Sequence, residues 1–283
     1  MDYITRSLIE ENESEFSAIW SKRIRYSSSR YYQKGELCHD IHNLDTVYAE
    51  IFVNKNFPGD YFFNKTKIIS PCLDISLLIS GTKRIFFYNR LDCFFHVLDD
   101  PLYHDTYNIL ELQHFYYIDS MLVFSVNLEE QPPEHNKADY DPNVFQMIAT
   151  DPSLIHIWVD LYCKSFEIEN WKQPIYDLIM SRYLDFELII LKVKSNSVFV
   201  PAACALLYYY KRATGLYCLG TLPGFRRKGL AMQIVRSSID RARTKGMKLF
   251  FVQTFLNDGF ANIYDRAGLC LKYRKRIYAN THI

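Results

Sequence analysis

The sequence predicts an α/β (α+β) protein of two domains, and three observations support this fold class. At 283 residues the chain exceeds one ordinary domain of about 150 residues. Apolar residues make up 49% of the chain and charged residues 23%, which is enough for a core in each half. In the second half, runs of β-branched and aromatic residues alternate with segments of helical periodicity.

A polar segment in the middle of the chain predicts the domain boundary. It contains the pair Pro132-Pro133 among charged and amide residues. Paired prolines cannot continue a helix or a central strand, because each lacks a backbone N–H. We therefore expect a first domain at residues 1–130, a linker at 131–139 and a second domain at 140–283.

Each element of the second half has a local signal. Asp151 or Ser153 can cap the first helix, Gly246 ends the third helix, and Asn257 can cap the last. The polar residues 194–197 join two β-rich runs as an antiparallel hairpin. The predicted strands are residues 144–148, 186–193, 198–210, 214–221, 249–252 and 270–278, and the predicted helices are residues 154–162, 174–183, 230–242 and 257–267.

The most informative segment is residues 219–231, which joins a predicted strand to a predicted helix through a basic turn. Gly229 lets the backbone approach a diphosphate closely, and the amides of residues 226–231 can replace its water. The positive end of the helix adds to this, and Arg226, Arg227 and Lys228 supply three cations. The segment therefore predicts a site for a polyanionic ligand.

Two motifs in order carry a family resemblance. Residues 226–231, Arg-Arg-Lys-Gly-Leu-Ala, resemble the (Q/R)xxGx(G/A) signature of the GCN5-related N-acetyltransferases, the GNAT superfamily. Residues 257–269, which begin with Asn257 and include Tyr264, are similar to the second motif of that family, with Leu269 where the family has phenylalanine. The resemblance implies a GNAT fold for residues 140–283.

The resemblance also implies acetyl-CoA as co-substrate and a role for each motif residue. The strand before the turn would splay from its neighbour, its backbone would pair with the pantetheine arm, and Asn257 would bond the pantetheine end. Tyr264 would be the catalytic acid, and a tyrosine pKa of about 10 suits proton donation to a thiolate whose acid has a pKa of about 8.5. The implied cofactor-binding residues are Leu219, Gly220, Thr221, Arg226, Arg227, Lys228, Gly229, Leu230, Ala231 and Asn257.

The sequence leaves the general base open. No Asp or Glu lies between Thr214 and Phe225, so a carboxylate elsewhere or a chain of water molecules must take the proton of the amine. Asp258 and Asp265 are conceivable bases. A purely structural role also stays open for Tyr264, whose ring could simply pack against the sheet.

The first half resembles the degenerate first domain of tandem GNAT proteins. The resemblance lies in the layout of residues 46–50, 57–64, 95–102 and 115–122, and residues 1–130 contain no RxxGx(G/A) turn. Such proteins include mycothiol-synthase-like enzymes and secreted bacterial effectors of the VipF type, and they keep acetyl-CoA chemistry in the second copy. The resemblance implies two GNAT-like domains, each a mixed, mostly antiparallel twisted sheet flanked by helices.

Composition excludes several function classes. A net charge of +1 argues against a protein that coats nucleic acid or an anionic membrane. The chain contains no run of 18 apolar residues, so no membrane insertion is expected. The seven cysteines are odd in number and form no CxxC pair, which indicates reduced thiols in the cytoplasm, or in a host cytosol if the protein is an exported effector. Residues 38–42, Cys-His-Asp-Ile-His, have no second ligand cluster, so no metal is expected.

The leading hypothesis is an N-acetyltransferase that moves an acetyl group from acetyl-CoA to a primary amine, with one active site in the second half. The acceptor could be a protein lysine, a protein N-terminus or a small amine, and the sequence does not distinguish among them. The sequence does not indicate an oligomeric state either. A noncatalytic CoA-binding or interaction module that retains the fold is the alternative. A different nucleotide binder that uses the same turn is a third option.

Overall fold

A computed structural model describes residues 3–27, 47–71, 74–130, 141 and 143–280. Contacts between residues divide the chain into two compact units, and each unit combines segments that are separated in the sequence. Unit 1 contains Met1–Glu15, Leu122–Thr254 and Asp258–Lys272, and unit 2 contains Phe16–Met121, Phe255–Asn257 and Tyr273–Ile283. The predicted linker at 131–139 lies outside the described residues, and the predicted domain limits 1–130 and 140–283 stay a prediction.

The described residues form seven α-helices and eleven β-strands. The helices are α1 (Tyr3–Trp20), α2 (Ile75–Asn89), α3 (His104–Leu112), α4 (Pro152–Phe166), α5 (Lys172–Arg182), α6 (Leu230–Thr244) and α7 (Ala261–Arg266). The strands are β1 (Lys22–Ser27), β2 (Val47–Val53), β3 (Lys65–Ile68), β4 (Phe94–Leu98), β5 (Tyr116–Asn127), β6 (Val144–Ala149), β7 (Phe186–Ser195), β8 (Val198–Tyr210), β9 (Ala213–Thr221), β10 (Leu249–Phe255) and β11 (Cys270–Ala279).

In unit 1 the strand order is β10-β9-β8-β7-β6, with the end of β5 beside β10. Strands β9 and β10 are parallel, whereas β6 to β9 form antiparallel pairs. Alternate residues of β8, such as Ala203 and Ala205, pack with α6 in one core cluster, and the intervening residues face the other side of the sheet. Helix α4 also packs on β8 and β9. The predicted mixed, mostly antiparallel sheet flanked by helices is confirmed.

Unit 2 has its own sheet and core. Its strand order is β1-β2-β3-β4-β11, in which only β3 and β4 run parallel among the pairs that the described residues show. Helices α2 and α3 pack in a second cluster that includes Phe86, Leu110 and Tyr278. Asp74 caps α2 by accepting a hydrogen bond from the Leu77 N–H at 3.0 Å.

The elements predicted for the second half all form, because their hydrophobic periods are clear. Asp151 caps α4 by accepting hydrogen bonds from the Ser153 and Leu154 N–H groups. The predicted cap at Asn257 is wrong, since α7 begins at Ala261. Asn257 lies in a 3-10 turn before α7, and its side-chain amide is directed to another segment. Among the described residues, no helix combines the length and apolar character that crossing a bilayer requires.

Candidate active site

Strands β9 and β10 separate toward their carboxyl ends. They pair in parallel from Ala213 opposite Leu249 to Leu216 opposite Val252, and the described pairing ends there. Strand β9 nevertheless continues to Thr221 and stays paired with β8 on its other side. Beyond Leu216 the described residues give this edge of β9 no partner in β10, which leaves room there for an extended ligand. Leu219, Gly220 and Thr221 lie in this opening, where the family resemblance places a pantetheine arm.

A β-bulge in β9 lies at the start of the opening. Tyr217 is opposite Leu206 and Gly220 is opposite Cys204, so Cys218 and Leu219 together face one residue of β8. Cys218 has a left-handed backbone with φ 54°. The carbonyl of Ala205, the residue of β8 at the bulge, accepts a hydrogen bond from the indole Nε1 of Trp158 at 2.8 Å. The bulge thus lies at the point where α4 is hydrogen-bonded to the neighbouring strand β8.

The turn after β9 presents the N-terminus of α6. Arg227 and Gly229 have left-handed backbones with φ 63° and 78°. Gly229 is the N-cap of α6 and makes no side-chain capping bond, so the first N–H groups of the helix are open to a ligand. A Cβ on Gly229 would meet no atom within 4 Å. Glycine is therefore favoured here by the left-handed backbone conformation and not by a close neighbour, and the space above the helix end stays open.

The charges around this turn are positive. Arg226, Arg227 and Lys228 are exposed, and the first turn of α6 carries no acidic residue. The Nζ atom of Lys228 lies 5.1 Å from the centroid of the Phe225 ring, which holds this cation over the turn. Together with the positive end of the helix, these cations favour an anionic ligand.

Arg226 also has a packing role that the sequence did not predict. Its Nε donates to the Thr221 carbonyl at 3.2 Å, and its Nη2 donates to the Ser165 carbonyl at 3.0 Å. Ser165 also lies close to Gly220, because a Cβ built on Gly220 would be 2.7 Å from the Ser165 Cβ. The end of α4 is thus held directly against the opening, and only glycine fits at position 220 without a shift.

Tyr264 is buried beside the open end of β10. Its side chain is 4% exposed, and its ring centroid lies 5.6 Å from that of Phe124. Its hydroxyl is hydrogen-bonded to the hydroxyl of Thr254, a residue of β10 beyond the end of the pairing with β9. Burial raises the pKa of Tyr264 well above its ordinary value, and the negative charge of Asp258 adds to the increase. The phenol therefore keeps its proton at neutral pH.

The remaining predicted site residues lie in different surroundings. Leu230 is 3% exposed and belongs to the core, and Ala231 is partly buried. These two residues can therefore contact a ligand through their backbone N–H groups and not through their side chains. Asn257 does not join the residues of the turn. Its N–H donates to the Asp119 carboxylate at 3.3 Å and its Nδ2 to the Ile118 carbonyl at 3.5 Å. The pantetheine contact predicted for Asn257 stays a prediction.

A polar cluster without a local sequence signal lies on the other face of β9 and β10. The hydroxyl of Tyr217 donates to Oδ1 of Asn12 at 3.0 Å, and Nε2 of Gln253 donates to Oε2 of Glu13 at 3.1 Å. Tyr217 and Gln253 follow Leu216 and Val252, the last paired residues, so α1 lies against the point where the strands part. The partners are 205 and 240 residues apart in sequence, so no local pattern could join them.

Among the residues that the structure describes, no three His, Cys, Asp or Glu side chains are grouped so that they could hold a metal ion. The segment Cys38–His42 lies outside those residues.

Comparison with known proteins identifies the fold of the second half. Residues 153–269 match the model of the "Acetyltransferase (GNAT) family", and this range contains the opening, the basic turn and Tyr264. These residues form a GNAT domain. No sequence among curated proteins matches the chain.

Solved structures extend the likeness over most of the chain. A GCN5-related N-acetyltransferase from Kribbella flavida is 13% identical with a TM-score of 0.61, and the match covers 83% of this chain and 88% of that one. One from Sphaerobacter thermophilus is 11% identical with a TM-score of 0.62, covering 82% and 76%. A tandem GNAT protein from the clavulanic acid biosynthesis pathway is 7% identical with a TM-score of 0.57, covering 86% and 82%. At these identities the likeness establishes the fold.

Proposed function

We propose that this protein is an acetyl-CoA-dependent N-acetyltransferase that transfers the acetyl group to a primary amine by direct attack. The acceptor is a protein lysine, a protein N-terminus or a small amine. One observation carries the proposal: the opening between β9 and β10 leads directly to the uncapped, basic N-terminus of α6. An open strand edge and a helix N-terminus suit the two ends of a coenzyme A molecule, an amide-bearing arm and a pyrophosphate.

The residues that would hold acetyl-CoA follow from these surfaces. The N–H groups at the start of α6 and the cations Arg227 and Lys228 would bind the phosphates. The backbone of Leu219–Thr221 would pair with the pantetheine amides. The co-substrate supplies an activated acetyl group as a thioester.

Tyr264 would supply the proton that the departing thiolate needs. Its hydroxyl is bonded to Thr254 at the open end of β10, and its raised pKa keeps the proton in place until the thiolate forms. Thr254 supports this role by holding the direction of the phenol.

Isothermal titration with acetyl-CoA tests the binding part of the proposal. Gly229→Trp fills the space above the N-terminus of α6, and we expect it to abolish binding. Gly246→Trp is the matched control, because Gly246 follows the same helix, has φ 70° and also has no atom within 4 Å of a built Cβ. The two substitutions share the backbone strain, but only the first meets the ligand.

The expected result is micromolar binding by the parent protein and by Gly246→Trp, with none by Gly229→Trp. Absence of binding by the parent, or equal binding by both variants, would contradict the proposed site. Acetylation of a panel made of a lysine peptide, a peptide with a free N-terminus and spermidine then tests transfer itself.

A further inference from the structure

The proposed transfer requires a base that the two motif segments do not provide. The attacking nitrogen must lose a proton as its bond to the acetyl carbon forms. Strand β9 and the turn after it carry no Asp or Glu from Thr214 to Phe225. Asp258 and Asp265, which follow β10, are both exposed, and Asp258 acts electrostatically on Tyr264.

Helix α1 brings a carboxylate to the point where β9 and β10 part. Glu13 is 1% exposed, and its Oε2 accepts a hydrogen bond from Gln253 at 3.1 Å. Gln253 comes directly after Val252, the last residue of β10 that pairs with β9. Glutamate is rarely buried to this degree, because removing a carboxylate from water costs free energy.

Beside Glu13 lies a hydrogen-bond acceptor, the side-chain carbonyl of Gln253, that receives no hydrogen bond from the described residues. Oε1 of Gln253 is buried and has no hydrogen-bond partner among the described residues, while its Nε2 is directed to Glu13. An unsatisfied buried carbonyl costs about 1–3 kcal/mol, and a ligand N–H would remove this cost. An amine nitrogen at this position could donate to Gln253 Oε1 and to the Glu13 carboxylate together.

Alternation along the strands places this pair on the face of the sheet opposite Tyr264. Leu216 and Val252 belong to the core cluster that contains α6 and Tyr264. Their next neighbours Tyr217 and Gln253 face the opposite side, toward α1. A thioester in the opening would therefore have Tyr264 on one side and Glu13 on the other. This arrangement suits a base that acts on the attacking amine and an acid that acts on the departing thiolate.

We propose that Glu13 is the general base of the acetyl transfer and that Gln253 holds the acceptor amine beside it. This inference rests on the proposed function. The amine nitrogen bonds to the acetyl carbon and gives one proton to the Glu13 carboxylate. The carbon–sulfur bond breaks, and the thiolate takes the proton of Tyr264. Exchange with water then returns the proton from Glu13 and restores that of Tyr264, so the products are the amide and the free thiol.

Steady-state kinetics of Glu13→Gln, measured with the best amine of the acceptor panel, tests the inference. The amide is similar in shape to the carboxylate and can keep the bond from Gln253, but it cannot accept the proton. We expect kcat to fall by about 100-fold or more, with the acetyl-CoA dissociation constant within about twofold of the parent. Glu11→Gln is the control, because Glu11 lies on the same helix and pairs with Lys211 at the surface.

Two further measurements separate catalysis from a structural role. Formate should restore part of the turnover of Glu13→Ala, because a small carboxylate can enter the space and accept the proton. Gln253→Met should raise KM for the amine several-fold without changing acetyl-CoA binding. If Glu13→Gln does not fold, these two variants decide the matter.

The outcomes distinguish the inference from the proposed function. Parent-like kcat in Glu13→Gln, or no formate rescue together with parent-like KM in Gln253→Met, would overturn the role of Glu13 and leave the transferase proposal standing. A parent protein that neither binds acetyl-CoA nor acetylates any amine would overturn both.

Discussion

Tyr264 combines burial with a hydrogen bond that gives its hydroxyl a direction. The side chain is 4% exposed and its hydroxyl meets that of Thr254 at the open end of β10. Burial raises its pKa, so Tyr264 keeps its proton up to at least about pH 10, and in the proposed mechanism its ionisation would not limit turnover below that pH. The raised pKa also makes the phenol a weaker acid. Donation in the proposed mechanism therefore requires that the same dry site also raises the basicity of the departing thiolate.

Tyr264→Phe should lower kcat by about 100-fold and change the acetyl-CoA dissociation constant little, because only the hydroxyl is lost. Tyr209→Phe is the control, since Tyr209 donates its hydrogen bond to Glu187 at 2.9 Å, away from the opening. Turnover measured for both variants at saturating co-substrate checks the prediction. Parent-like turnover in Tyr264→Phe would leave the ring as a packing residue against Phe124.

At the residue scale, the sequence predicts what is local. The turn around Gly229 and the position of Tyr264 follow from motifs in adjacent residues. Arg226 could be predicted as a cation, but not as a brace that bonds the Thr221 and Ser165 carbonyls. Glu13 and Gln253 were missed because only the folded chain brings α1 to β10.

The contact between α4 and β9 sets the shape of the opening at the element scale. Gly220 lies opposite Cys204 on β8, and the last turn of α4 packs on it. The space is so small that a Cβ at 220 would lie 2.7 Å from the Ser165 Cβ and 3.1 Å from Phe166 Cε2. Any side chain at this position must therefore move α4 or β9.

Gly220→Ala should lower the free energy of unfolding by about 1–3 kcal/mol, the cost of overpacking a close contact. Adding Ser165→Gly removes the Cβ that causes the clash, so the double variant should be more stable than Gly220→Ala alone. Urea unfolding of the parent, both single variants and the double variant checks this. Additive losses would show that the contact does not decide the choice of glycine.

Helices and strands with a clear hydrophobic periodicity could be predicted closely. The residues that cap them, and the point at which β9 and β10 separate, could not. The hairpin of β7 and β8 and the amphipathic α6 follow directly from the alternation of apolar and polar residues. The start of α7 does not, because α7 begins at Ala261 and Asn257 lies too early in the chain to accept from its first N–H groups. The Asn257 side chain instead donates its Nδ2 hydrogen to the Ile118 carbonyl, a contact that only the folded chain brings about.

At the scale of the whole molecule, the division of the chain into compact units could not be predicted. Residues 3–15 belong to the compact unit that also contains most of the matched residues 153–269, and residues 273–280 belong to unit 2. Such exchange of terminal segments leaves no trace in local pattern. Helix α1 thereby supplies Asn12 and Glu13 to the polar cluster beside β9 and β10.

Several buried or half-buried tyrosines in unit 1 should make the stability of the molecule sensitive to high pH. Burial is the main cause that raises the pKa of Tyr208 to about 12 and the pKa of Tyr217 and Tyr264 above their ordinary value. In the unfolded chain a tyrosine has a pKa of about 10. Below that pH both states keep the proton, so these residues add no pH dependence. Above it the unfolded state loses the proton first, and the free energy of unfolding falls as pH rises.

Between about pH 10 and the folded pKa, a buried tyrosine lowers the free energy of unfolding by about 1.4 kcal/mol per pH unit. Urea unfolding at about pH 8 and about pH 11 should therefore show a steep loss in the parent and a smaller loss in Tyr264→Phe, which has no proton to lose. Tyr88→Phe, at a tyrosine that is 74% exposed, should follow the parent. If Tyr264→Phe loses as much stability as the parent, the phenol is not held protonated by burial, and its role as a proton donor loses its physical basis.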